Sequence, residues 1–162
     1  MAYLYSYVGE PWKTQEWTRR LLDEMYQPTP EGIIGNEDCG QMSAWYLLSS
    51  LGFYSVCPGS NQFILTTPLF DKATVKLGNG KILTITANQP EKNKYITSVS
   101  LNGEEIKHCY ITYDQLMQGG TLDFTLSATP DKSWGTAPEY APYSYTEQPT
   151  VSIPYIANDL DL

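Results

Sequence analysis

The chain has a single histidine, three cysteines, and only 10 lysines and arginines against 18 aspartates and glutamates. Each shortage closes a route. A formal charge of −8 leaves nothing to drive general binding of a phosphate backbone by counterion release. Cys39, Cys57 and Cys109 are too few and too scattered for a disulfide framework or a zinc site, and read as unpaired, mostly buried thiols. His108, beside Glu104, Glu105 and Lys107, reads as a solvated residue near a strand end. With one histidine and no nucleophile pattern near it, a Ser-His-Asp or Cys-His enzyme is not expected. No apolar run approaches the roughly 18 residues of a membrane span. The opening Met1-Ala2-Tyr3-Leu4 lacks a basic n-region and a cleavage-site pattern, so no signal peptide is expected. Gly78-Asn79-Gly80 is too short for a phosphate-binding loop.

What remains is a globular composition of one-domain size: 162 residues, 41% hydrophobic and 13% aromatic. Residues 1–54 read as helical. Trp17, Leu21, Leu22 and Met25 share one face of a helix over about 14–26, with Thr14 as N-cap and Pro28 and Pro30 beyond its end. The shorter run Tyr3–Val8 fits a strand or a helical turn equally. A second helix over about 39–51 carries Ala44, Leu47, Leu48 and Leu51, with Gly52 at its C-terminal stop; Trp45 and Tyr46 widen its apolar face, so burial on most sides is expected. From 61 to 127 the period becomes two. Ala73, Val75 and Leu77 alternate with polar residues, as do Leu122, Phe124 and Leu126, and Gly78-Asn79-Gly80 and Asn102-Gly103 are hairpin turns.

These patterns predict an α+β fold: two or three N-terminal helices packed in two layers on an antiparallel β-sheet, forming one domain over 1–135. Trp17, Leu21, Leu48, Leu51, Val75, Ile85, Val99 and Phe124 are its expected core. Residues 136–162, rich in proline and tyrosine, form a tail that is extended along the surface or mobile.

The densest polar cluster is Gly35-Asn36-Glu37-Asp38-Cys39-Gly40-Gln41, at the mouth of the second helix. In the structural reading Asp38 caps the helix and Glu37 is solvated. In the functional reading the glycines allow close backbone approach and a carboxylate is presented as a general base. The many aromatics suit sugar stacking or a packed core.

Tyr3-Leu4-Tyr5-Ser6-Tyr7-Val8-Gly9-Glu10-Pro11-Trp12-Lys13-Thr14-Gln15 and the stretch from Gly35 through Tyr46 resemble motifs of bacterial glycoside hydrolase family 92, the calcium-dependent exo-α-mannosidases. So do Cys57-Pro58-Gly59-Ser60, Pro68-Leu69-Phe70, Tyr110 to Leu116 and Gly119-Gly120-Thr121-Leu122, in order over about residues 2–135.

The resemblance implies the C-terminal part of a much longer enzyme: the last helices of a helical barrel and the α+β segment after them. It implies inverting hydrolysis of α-mannosides, most of all α-1,2-linked ones, with one carboxylic acid and one opposed base. The family's glutamate general acid lies outside this sequence, and its base falls on Asp38. Where many members carry a second Asp, this chain has Asn36, whose amide orients water but cannot take its proton. Asn36 and Glu37 are candidate substrate-binding residues. Calcium grips mannose hydroxyls in the family, but its ligands look to lie mostly upstream, so calcium binding does not carry over to this chain. Full-length members are commonly periplasmic or on the cell surface.

The lone chain is therefore not expected to be a competent enzyme. Its partners would be α-mannosides or mannans in the full enzyme, and the missing portion or a second copy of itself. Leu4, Tyr3, Tyr7 and Trp45 are expected to lie bare. A non-catalytic carbohydrate-binding or interaction module, and a remnant of a split gene, are the alternatives. The upstream DNA would separate them.

Overall fold

The computed structural model describes residues 1–144. A 3₁₀ segment, Ala2–Val8, leads through left-handed Gly9 into α1 (Pro11–Met25), and α2 (Gln41–Ser50) follows. Eight strands then form two sheets. The small one pairs β1 (Phe53–Tyr54), β2 (Gln62–Leu65) and β7 (Tyr110–Thr112), all antiparallel. The large one runs in the order β3 (Lys72–Lys76), β4 (Ile82–Ala87), β8 (Gly120–Ser127), β5 (Tyr95–Leu101), β6 (Glu104–Glu105). A short helix, α3 (Tyr113–Met117), joins β7 to β8.

The α+β class holds, but the expected single antiparallel sheet is two sheets, and the larger is mixed. β8 lies between β4 and β5, parallel to the first and antiparallel to the second. Leu122, Phe124 and Leu126 on β8 are all buried, which suits a central slot rather than an edge. Residues 88–94 leave β4 without closing a hairpin, and Asn88 donates from Nδ2 to the carbonyl of Leu126 (3.1 Å). The local turns form as their residues dictate. Asn102 and Gly103 both take positive φ (53° and 86°), as a type I′ turn requires. Asn102 then clasps β8: its Oδ1 accepts from Thr121 N (2.8 Å) and its Nδ2 donates to Gly119 O (3.1 Å). A Cβ on Gly120 would stand 1.9 Å from Asn102 Oδ1, so that position admits only glycine.

Both sheets face one core, in which Phe53, Leu65 and Ile111 meet Leu83, Ile85, Val99, Leu122 and Phe124. Leu116 of α3 and Trp134 close it. Of the expected core, Ile85, Val99 and Phe124 are buried, and Leu48, Leu51 and Val75 are half-buried against it. Trp17 is not core: it is 39% exposed, and Leu21 lines an outer groove.

The reason is that α1 turns its polar side inward. Four of its six buried residues are Thr14, Gln15, Thr18 and Arg19. Gln15 Oε1 accepts from Ile96 N (2.9 Å), and Arg19 Nη2 donates to the carbonyls of Pro68 (2.9 Å) and Pro90 (3.0 Å). Thr14 is no N-cap, because α1 begins earlier, with Pro11 in its first turn. Instead its hydroxyl accepts from Ser6 N and Ser6 Oγ, fastening the 3₁₀ segment to α1.

On α2 the fully buried residues are Ser49 and Ser50, while Leu47 is 60% exposed, so burial on most sides is not what occurs. Tyr3 is buried, not bare, with its hydroxyl 2.7 Å from Ser49 Oγ. Leu4 is bare; Tyr7 and Trp45 are half-buried. Two of the three thiols, Cys39 and Cys57, are exposed rather than buried, because both sit in loops. Beyond Trp134, Tyr140 O accepts from Cys109 N (3.1 Å) and Tyr143 N donates to Gln62 Oε1 (2.8 Å), so the start of the tail lies on the domain. Residues 145–162 of that tail lie outside the described residues.

Candidate functional site

The polar cluster occupies the loop that feeds α2. Tyr26 bridges to Ile33, and the chain then runs through left-handed Gly35 (φ 77°) to Asn36 and Glu37. Asp38, Cys39 and Gly40 follow with φ of 54°, 58° and 89°. Three consecutive left-handed residues are costly for an L-amino-acid chain, at about 1–2 kcal/mol for each residue with a Cβ. Aspartate tolerates this region and glycine prefers it. At Gly40 conformation, not space, sets the choice: an added Cβ would meet nothing nearer than Glu37 Oε1 at 4.0 Å. Strain of this kind gathers where a side chain is held for use.

The two carboxylates divide their work in the reverse of the capping expectation. Glu37 is the cap. Its Oε1 accepts from Ser43 N (3.0 Å), and its carbonyl accepts from Met42 N (3.2 Å). Its Oε2 is shut off from solvent with no hydrogen-bond partner. Asp38 uses its carbonyl, which accepts from Gln41 N (3.2 Å), and leaves its exposed carboxylate uncommitted beside the N-terminus of α2, where a negative charge is favoured. Asn36 is exposed on the approach. The left-handed turn causes the exchange, because the usual capping geometry needs an extended cap residue.

Behind the turn stands an aromatic wall. Tyr26 stacks on Trp45 (5.7 Å between centroids) and leans on Tyr46 (4.8 Å); Trp45 meets Tyr54 edge-on (6.4 Å). Gln41 Nε2 donates to Tyr54 Oη (3.2 Å). Burial first, and then the charge of Glu37, push the Tyr26 phenol up. A groove of about 450 Å³ between Tyr26, Pro28, Ile33, Ser43 and Tyr46 opens on this side. Among the described residues no group of three or more His, Cys, Asp or Glu converges on a point, so these residues do not by themselves make a calcium cage.

The sequence brings Asn36, Glu37 and Asp38 together, as contiguity must. It does not reveal that Glu37 holds the helix, since a bond from position 37 to 43 belongs to no capping spacing. Glycines 35 and 40 around two acidic residues were the available signal for an abnormal turn.

Residues 1–128 match the profile of the glycosyl hydrolase family 92 catalytic domain. A family GH92 alpha-mannosidase of Bacteroides thetaiotaomicron, solved with mannoimidazole, superposes with a TM-score of 0.84 at 41% identity, over 89% of this chain and 19% of that one. A family GH92 inverting mannosidase of the same species gives 0.83 at 42% identity, over 90% and 20%. An uncharacterized secreted glycosidase of Arthroderma benhamiae is 29% identical over 147 residues, 88% of this chain and 19% of that protein. The chain thus spans about a fifth of the length of these relatives.

Proposed function

Because the chain belongs to the glycosyl hydrolase family 92 catalytic domain, we propose that it carries the base side of an inverting α-mannosidase, with Asp38 as general base. One observation carries this reading. The Asp38 carboxylate is free of any capping duty and is presented to solvent from a strained turn that its neighbours hold.

In this reading the Asp38 carboxylate takes a proton from a water molecule as that water attacks the anomeric carbon. The bond from that carbon to the leaving oxygen breaks. An acid on the opposite face, about 6.5–9.5 Å from the base, protonates the leaving oxygen, and the α-mannoside yields β-mannose. That acid belongs to the part of the family enzyme outside this sequence. Asn36 orients the water or a sugar hydroxyl through its amide. Calcium would hold mannose hydroxyls, but no group of three or more His, Cys, Asp or Glu that could hold a metal ion lies among the described residues, and no step here rests on it. The relatives solved with mannoimidazole or named inverting mannosidase support the substrate class.

The test is a chimaera in which residues 1–128 replace the matching stretch of the Bacteroides alpha-mannosidase. It should release β-mannose from α-1,2-mannobiose. Asp38→Asn should lower kcat by about 10²–10⁴, and Asn36→Asp should be tolerated. Full turnover in Asp38→Asn would sink the base assignment. The lone chain should show no hydrolysis, with or without calcium; calcium-dependent turnover by it would overturn the fragment reading.

A further inference from the structure

Glu37 sits one residue before the proposed base, and its carboxylate is engaged with the backbone of α2. Its Oε1 reaches six residues forward to Ser43 N, and its carbonyl takes Met42 N, so one residue grips the first turn of α2 twice. Between the two anchor points lie only Asp38, Cys39, Gly40, Gln41 and Met42. A loop this short, closed at both ends, has few ways to run. It runs left-handed through Asp38, Cys39 and Gly40. The side chain of Asp38 contributes no hydrogen bond that holds this conformation, and Cys39 is exposed. Within the turn the Asp38 carbonyl accepts from Gln41 N, and the side chain placed to add a second restraint is that of Glu37.

We propose that Glu37 is a positioning residue, not a sugar ligand: its carboxylate staples the α2 N-terminus and thereby holds the strained turn that presents Asp38. The proposal rests on the reading of Asp38 as base, and it adds a role that the reaction itself does not require. A strained turn relaxes when its restraint is removed, and a base displaced by about 1 Å loses up to about a hundredfold in rate.

Two measurements on Glu37→Ala and Glu37→Gln test it. In the chain itself, amide hydrogen exchange is followed at Ser43 and Gly40. In the chimaera, kcat and KM are measured on α-1,2-mannobiose. Glu37→Ala should speed exchange at Ser43 by about tenfold or more and lower kcat by about tenfold to a hundredfold, with KM little changed. Glu37→Gln keeps the acceptor oxygen and should restore both to within about threefold. Unchanged exchange and kcat in Glu37→Ala would overturn the proposal. So would a Glu37→Gln variant with Ser43 protected but turnover lost, because the carboxylate would then be touching sugar or water. Full turnover in Asp38→Asn would remove the base reading alone; the contrast between Ala and Gln at Ser43 would still decide whether Glu37 holds the turn.

Discussion

The sheets and the N-terminal helices solve the same packing problem in opposite senses. In the sheets, alternation points Leu122, Phe124 and Leu126 inward and leaves Thr121, Asp123 and Thr125 outside. On α1, Thr14, Gln15, Thr18 and Arg19 point inward, while Trp17 and Leu21 join Leu4 and Val8 around an outer groove of about 520 Å³. The sheets meet through apolar side chains, whereas α1 meets its domain through hydrogen bonds from Gln15 and Arg19 beside the buried Pro11 and Leu22. An amphipathic pattern says that a helix has two faces; it does not say which face meets its own domain.

Breaking the sheet core should cost most. Phe124→Ala should destabilise the chain by about 3–5 kcal/mol in denaturant titration. Arg19→Met sharpens the comparison. If hydrogen bonds hold α1, the orphaned carbonyls of Pro68 and Pro90 should cost about 2–3 kcal/mol. A neutral or stabilising result would mean that apolar contact holds it after all.

The seam between the layers should fail in alkali. Cys109 Sγ lies 3.6 Å from Ser6 O and 3.3 Å from Tyr140 O, and burial pushes its thiol from an ordinary 9.0 up to about 12. Burial raises the Tyr3 phenol too. Between those values the unfolded chain loses the thiol proton and the folded chain keeps it. Stability should therefore fall as pH rises above 9, by about 1.4 kcal/mol per unit for one such group. A denaturation midpoint flat from pH 8 to 11 would contradict this. The smallest effect belongs to the outer face: Trp17→Lys should change stability by less than about 0.5 kcal/mol. Bare apolar surface of this kind brings copies together, so the unaltered chain should self-associate in sedimentation at high concentration and Trp17→Lys should not. A strict monomer would count against that face as a contact surface.

What could be read from the sequence was local. Asn102-Gly103 dictates its own turn, and Gly52, at φ 97°, stops α2 as expected. The insertion of β8 beside β4 could not be read, since it pairs residues 37 positions apart with no turn to announce it. One local signal went unread. Thr112 and Gln115 form a reciprocal capping box that starts α3, and their spacing is visible in the sequence. At the candidate site the residues were legible but their roles were not. Which carboxylate caps a helix depends on the backbone angles at Asp38 and Cys39, and composition does not carry those.

The inward polar face of α1 also bears on the order in which the chain assembles. Gln15 waits for Ile96, 81 residues later, and Arg19 for Pro68 and Pro90, 49 and 71 residues later. Such bonds reward nothing until the distant segments are already fixed, whereas the β3–β4 and β5–β6 hairpins close over a few residues. Those bonds can form only once the segments carrying Pro68, Pro90 and Ile96 are in place. In a longer polypeptide, α1 would be free during that interval to settle its apolar face elsewhere before its polar face is committed.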